Sequence, residues 1–143
     1  MIRIGREDLL RCLESVTPGI ATKEIVEQSA CFIFSGGDLV TFNDEVACRM
    51  KSPLGDITGA VKAEKLLEQL RKWVEDEVKV TVNDSQLIVA GKGRRCGIHM
   101  EQEILLPVEA VEKPTKWRNL HTDFCEAVGM VGQCAGRQEG TMT

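Results

Sequence analysis

Six cysteines, two histidines and one glycine-rich basic stretch are the parts of this chain that could do chemistry by themselves. The cysteines are Cys12, Cys31, Cys48, Cys96, Cys125 and Cys134. A structural zinc site draws its ligands in close pairs, roughly two to four residues apart. The nearest two cysteines here, Cys125 and Cys134, are nine residues apart, so neither a metal nor a cofactor is expected. His99 stands in strand phase with Gly97, and His121 precedes a helix. Neither has a serine or cysteine at a spacing that would make a nucleophile and its base, so no catalytic residue is assigned and the chain reads as a non-enzyme. Gly91-Lys92-Gly93-Arg94-Arg95 combines consecutive backbone N–H groups with cationic side chains, which can hold an anion. It lacks the eight-residue phosphate-loop pattern and opens no helix, so a hairpin turn is expected there instead.

The elements that must position these residues come from periodicity. Met1 to Gly5 alternates as a short strand, and Arg6 to Val16 carries Leu9, Leu10, Leu13 and Val16 on one helical face. Thr17-Pro18-Gly19 ends that helix, because proline cannot continue its ladder. Ser29 to Phe34, Leu39 to Phe42 and Val46 to Lys51 read as three strands separated by turns. The order then recurs. Ile57 to Lys62 is a strand, and Ala63 to Trp73 is a helix with Leu66, Leu67, Leu70 and Trp73 on one face. Glu77 to Val82, Gln86 to Ala90 and Arg95 to Glu101 are strands, the first alternating strictly.

This recurrence is an internal repeat. Ile4 to Leu13 matches Val61 to Leu70 at an offset of 57, and Cys48 and Met50 match Cys96 and Ile98 at an offset of 48. About nine extra residues within Thr17 to Gln28 account for the difference, and a longer loop costs little entropy. Arg94 and Arg95 beside Cys96 would favour its thiolate, but its counterpart Cys48 occupies the same strand position, which favours packing for both. A third copy begins at Leu120, where Asp123 to Val128 echoes Asp8 to Leu13 at an offset of 115. Repeated supersecondary units complete one another's core. The expected organisation is therefore one α+β domain over 1–105, with halves at about 1–52 and 56–102. A linker over 106–118 and the first helix of a further repeat with a frayed tail over 119–143 follow.

Composition sets outer bounds. Of 143 residues, 43% are hydrophobic and 28% charged, ordinary values for a globular protein. No apolar run approaches the roughly 20 residues that span a bilayer, so no membrane partner and a cytoplasmic location are expected. The formal net charge of −4 excludes a tight, basic duplex-DNA reader. Tyrosine is absent and only six residues are Phe or Trp, too few for a single-strand stacking platform. Trp73 and Trp117 are expected to cover the core.

The chain resembles the bacterial DNA sliding clamp, the β subunit of DNA polymerase III. The likeness rests on the opening strand followed by Glu7 to Leu13 and on the hairpin ending Thr41-Phe42-Asn43-Asp44-Glu45. It rests also on Gly59 to Leu67 at the second helix entry and on the Gly91 to Arg95 hairpin. The resemblance covers about residues 1–105. It implies a DNA-clamp-like fold of two strand–helix–strand–strand–strand repeats with pseudo-two-fold symmetry, both helices on one side of the sheets. In that family three such domains form a chain, and two chains close a ring around duplex DNA that tethers a polymerase.

A ring is held on DNA by topology, so strong phosphate contacts are not needed and would slow sliding. The resemblance thus points to Lys65, Gln69 and Lys72, opposite the leucine face of the second helix, with Arg71 nearby. It also points to Arg11 on the first helix and to Lys23 in the loop after it, as residues facing DNA. Glu7, Asp8 and Glu14 on the first helix oppose such contact there. The implied partners are duplex DNA, bound weakly and topologically, and further copies of the chain through sheet edges. A polymerase and a clamp loader are implied only where later domains exist, since their docking cleft lies in those domains. The alternative reading is a stand-alone α+β protein-interaction module that uses exposed strand edges and has no DNA role.

Overall fold

A computed structural model describes residues 1–135; the tail expected to fray, residues 136–143, lies outside them. The chain divides into two units, the first Met1–Lys113 and the second beginning at Pro114. The first unit contains β1 (Ile2–Gly5), α1 (Arg6–Ser15), a 3₁₀ turn (Thr17–Gly19), β2 (Cys31–Ser35), β3 (Asp38–Phe42) and β4 (Ala47–Lys51). It continues with β5 (Gly59–Lys62), α2 (Ala63–Arg71), β6 (Glu77–Val82), β7 (Gln86–Ala90), β8 (Arg95–Glu101) and a second 3₁₀ turn (Val108–Ala110). The second unit carries α3 (Phe124–Cys134). The expected repeat of strand, helix and three strands is present twice. Element ends differ from the sequence reading by up to four residues, the largest difference being α3, which starts at Phe124 rather than Leu120.

The eight strands form one antiparallel sheet in the order β1-β6-β7-β8-β5-β2-β3-β4. Each half lends its opening strand to the other: β1 pairs with β6 (Ile4 opposite Val78), and β5 pairs with β2 (Phe32 opposite Val61). This exchange explains why the repeats come as a pair. Neither half alone would have a partner for its first strand, so the two must fold together. The join between the four-stranded groups is narrow, with only Ala60 opposite Glu101 and Val61 opposite Met100.

Strand alternation sorts side chains onto two faces. One face packs against both helices. Leu9 and Leu13 of α1 and Leu66 and Leu70 of α2 join Phe32, Phe34, Val61, Val78, Val80, Leu87 and Val89 in a single core. The leucines are the ones whose spacing predicted a helical face. Gly19 is buried and packs closely on Thr41 of β3. A Cβ there would stand 2.2 Å from Thr41 Oγ1, and that hydroxyl donates to the Val16 carbonyl at 2.7 Å.

The opposite face differs between halves. In the first half it presents Cys31, Ile33, Val40 and Ala60, and Leu106 and Val111 cover them in a second core. In the second half it presents Lys79 and Thr81 between the buried valines of β6, with Arg3 across the pair on β1. The outgoing segment therefore lies over the apolar half. The first unit accordingly runs to Lys113, so residues 106–113, read from the sequence as linker, belong to the domain. Trp73 is buried as expected, at 2% exposure, whereas Trp117 in the second unit is 84% exposed and covers no core.

Candidate nucleic-acid interface

The polar faces of α1 and α2 form the surface on which most of the candidate residues sit. Both helices start directly from a strand, and neither has a side-chain N-cap. Their direction is set by the buried leucine stripes, which leave the opposite sides to solvent. Lys65, Arg71 and Lys72 are exposed and Gln69 is half-buried, while Arg11 on α1 is exposed.

Most of these cations already have partners. Arg11 bonds Asp8 one turn earlier, and Lys72 bonds Glu68 at 2.5 Å. Arg71 reaches across to α1, where its guanidinium stands 3.0 Å from Glu14 Oε1. The bond from Lys72 holds the Glu68 carboxyl below its ordinary range. Exposed pairs of this kind add little stability, but they decide the field of the surface. On α1 two arginines face three carboxylates, and on α2 with its terminal Lys72 three cations face two carboxylates. The helix face as a whole is neutral. Lys65 forms no ion pair among the described residues, and neither does Lys23, which is exposed on the loop between the 3₁₀ turn and β2.

That loop is tied down by a residue the sequence reading passed over. Gln28 is 1% exposed and has a positive φ of 62°. Its Nε2 donates to Glu101 Oε2 at 2.7 Å and to the Glu103 carbonyl at 2.8 Å. Its Oε1 accepts from the backbone N–H of Leu105 at 2.8 Å and of Leu106 at 3.3 Å. Its own N–H donates to Glu24 Oε1 at 2.8 Å, and the other Glu24 oxygen bonds Lys62 at the end of β5. The Lys62 bond, then the Gln28 N–H, holds the Glu24 carboxyl below its usual value, and Glu24 in turn raises Lys62. No periodicity marks a buried glutamine. The one available signal was its place at the end of the nine-residue insertion.

The remaining chemistry-bearing residues do not converge. His99 is exposed on β8, Cys96 is half-buried against the core, and His121 lies in the second unit, 3.4 Å from Asp123. Cys48, its repeat counterpart, packs on the same core as Cys96. Among the described residues no three His, Cys, Asp or Glu side chains gather as a metal site would require. Gly91 to Arg94 is a hairpin turn, closed by Gly91 N–H donating to the Arg94 carbonyl at 2.8 Å. Arg94 stacks 5.0 Å from the Trp73 ring centre and donates to the Lys72 carbonyl at 3.2 Å, which caps α2. The cleft of about 490 Å³ beside this turn holds three cations, Arg3, Lys79 and Lys92, and three carboxylates, Glu75, Asp76 and Glu77. It carries no net field to draw an anion.

Burial pushes the Cys31 thiol up to about 11, and its side chain is sealed at 1% exposure, whereas Cys125 and Cys134 are exposed. Maleimide labelling at neutral pH, read by peptide mass spectrometry, should therefore modify Cys125 and Cys134 first. Cys31 should react at least about a hundredfold more slowly, since the thiolate is the reacting species. Rapid labelling of Cys31 in the folded protein would contradict its place in the second core.

No family model and no curated protein matches the chain. Solved structures do match. A putative DNA polymerase III β subunit from Eubacterium rectale aligns with a TM-score of 0.63 at 14% identity, over 82% of this chain and 33% of that one. The β subunit from Thermotoga maritima gives 0.62 at 11% identity over the same shares. A sliding clamp from Pseudomonas aeruginosa gives 0.56 at 18% identity, again over 82% and 33%. The chain thus has the fold of a DNA sliding-clamp domain, and it spans about a third of the length of the clamps it matches.

Proposed function

We propose that this chain serves as a domain of a non-catalytic DNA sliding clamp, part of a ring that encircles duplex DNA and keeps a replicative polymerase on it in the cytoplasm. The observation that carries this reading is the placement of both repeat helices side by side on one face of a sheet whose halves exchange their opening strands. The fold as a whole is that of the clamp domains, and it leaves the polar sides of both helices on one side of the sheet. The neutral helix face supports a sliding rather than a gripping contact. Lys23 and Lys65 are the candidates for direct phosphate contact. Arg11, Arg71 and Lys72 would have to leave a carboxylate to make one, and Gln69 can only donate an uncharged hydrogen bond.

Ring assembly needs further domains or further copies, joined through sheet edges. β4 ends the sheet. Asn43 N–H donates to the Val46 carbonyl and Ser52 N–H to the Gly37 carbonyl, so bonded pairs bracket this strand. Alternation along the ladder then turns the backbone groups of Ala47, Arg49 and Lys51 outward, ready to pair with another strand. Polymerase and loader would dock on domains beyond this one.

The test is retention on DNA of defined topology. The assembled ring, loaded on closed circular duplex, should stay bound through gel filtration and be released when the circle is cut once. Binding of the single chain to short linear duplex should weaken with salt along a slope of only about −2 in log–log form, about one unit for each of its two uncompensated cations. Equal retention on cut and uncut circles would reject the clamp reading and favour a protein-interaction module working through the β4 edge.

A further inference from the structure

We propose that Gln28 is a positioning residue that locks the Lys23 loop to the segment leaving the domain, so that the two move as one body. The part of this concerning DNA rests on the clamp reading; the mechanical coupling does not. The loop and the outgoing segment are more than seventy residues apart in sequence, and one buried side chain joins them through four hydrogen bonds, two donated and two accepted. All the donor and acceptor capacity of the amide, two N–H groups and two lone pairs, is then in use, which leaves no slack for independent motion. On the loop side Gln28 is held in turn by Glu24, the neighbour of Lys23, and Glu24 is held by Lys62 on β5. The chain of contacts thus runs from the β5 end through the loop to Leu105 and Leu106. Those two residues begin the strap that covers the second core and carries the polypeptide out of the domain.

The consequence is directional. A contact that orders or shifts the Lys23 loop acts on the strap, and through it on whatever the chain joins next. A ring that reads DNA with a loop and transmits the reading to its own domain junction needs such a link.

Hydrogen exchange on the full chain, read amide by amide, tests it. Lys62→Met releases Glu24 and touches neither Leu105 nor Leu106. Because Lys62 is half-exposed, the variant should fold. The coupling predicts that exchange at Ala21 and Ser29 in the loop, and at Leu105 and Leu106 in the strap, rises together by roughly five- to tenfold, with Val80 and Val89 unchanged. Faster exchange in the loop alone would overturn the proposal, as would no change in either segment. Gln28→Met, which keeps the packing and removes the amide, should accelerate both segments further. Added duplex DNA should slow both in the wild-type chain. Protection of the loop without the strap would again overturn the coupling. DNA that leaves the loop unprotected would remove Lys23 from the clamp reading, and the Lys62→Met result would still decide the coupling.

Discussion

Replacing Gly59 with valine will lower the melting temperature by roughly 10–20 °C, the equivalent of about 3–5 kcal/mol in a chain of this size. Gly59 opens β5, one residue before the short β5–β8 ladder that joins the two four-stranded groups. Its φ is +150°, which side chains other than glycine rarely adopt, and a Cβ would lie 2.3 Å from Met100 Cε and 2.9 Å from the Glu101 carbonyl oxygen. The methionine tip can turn aside. The carbonyl cannot, because Glu101 is paired with Ala60 across the seam. Valine must therefore part β5 from β8, and with only two residue pairs there the seam has nothing in reserve. Gly55→Ala is the control. That glycine also has a positive φ, +67°, but nothing lies within 4 Å of its Cβ position, so it should cost only about 1 kcal/mol of backbone strain. Thermal melts of the two variants separate close approach from backbone conformation. Equal losses would show that the seam is not packed as described.

Gly59 also shows what the sequence could and could not say. The repeat, the two leucine faces and the three strands after α2 were legible because apolar period encodes them directly: Leu66 and Leu70, or Val78 and Val80, must share a side. The exchange of β1 and β5 between halves was not, because pairing partners leave no mark on a single strand's own pattern. Ser29 and Ala30 read as strand through their neighbours, yet Gln28 turns the chain there with a positive φ and the ladder begins only at Cys31. The 3.6-residue period puts Arg11, Lys65, Gln69, Arg71 and Lys72 on the two helices, away from their leucine faces. The ion pair of Arg71 was not legible, since Arg71 finds Glu14 across helices, at a distance in sequence that no local pattern reports. Residues 106–113 read as linker because Pro107 and Pro114 bracket a stretch without periodicity. Leu106 and Val111 are buried all the same, because a strap over a sheet face follows the shape of that face and not a helical or strand period.

Arg49→Met tests that strap, and it should cost about 2–4 kcal/mol. Arg49 stands on the outer face of β4 with its side chain 19% exposed. Its Nη1 donates to Asp38 Oδ2 at 3.2 Å, and the Asp38 side chain is 16% exposed. Its Nη2 donates to the Val108 carbonyl at 3.1 Å, so one guanidinium ties two strands to the second 3₁₀ turn. Methionine keeps the aliphatic stem and fills the space, so the loss is that of the charge and its bonds. Asp38 is then left with Lys113 alone, 3.5 Å away and largely in solvent, which compensates a mostly buried carboxylate poorly. Asp38→Asn in the same background should recover part of the loss, because the orphaned charge is what makes the single variant costly. The double-mutant cycle should return a coupling of about 1–2 kcal/mol. Limited proteolysis reads the local consequence: cleavage between Leu105 and Lys113 should accelerate in Arg49→Met more than global unfolding explains. If the variant loses stability while the strap stays as resistant as in the wild type, Arg49 acts within the β3–β4 hairpin alone. The strap would then be held by Leu106, Val111 and the Gln28 bonds without it.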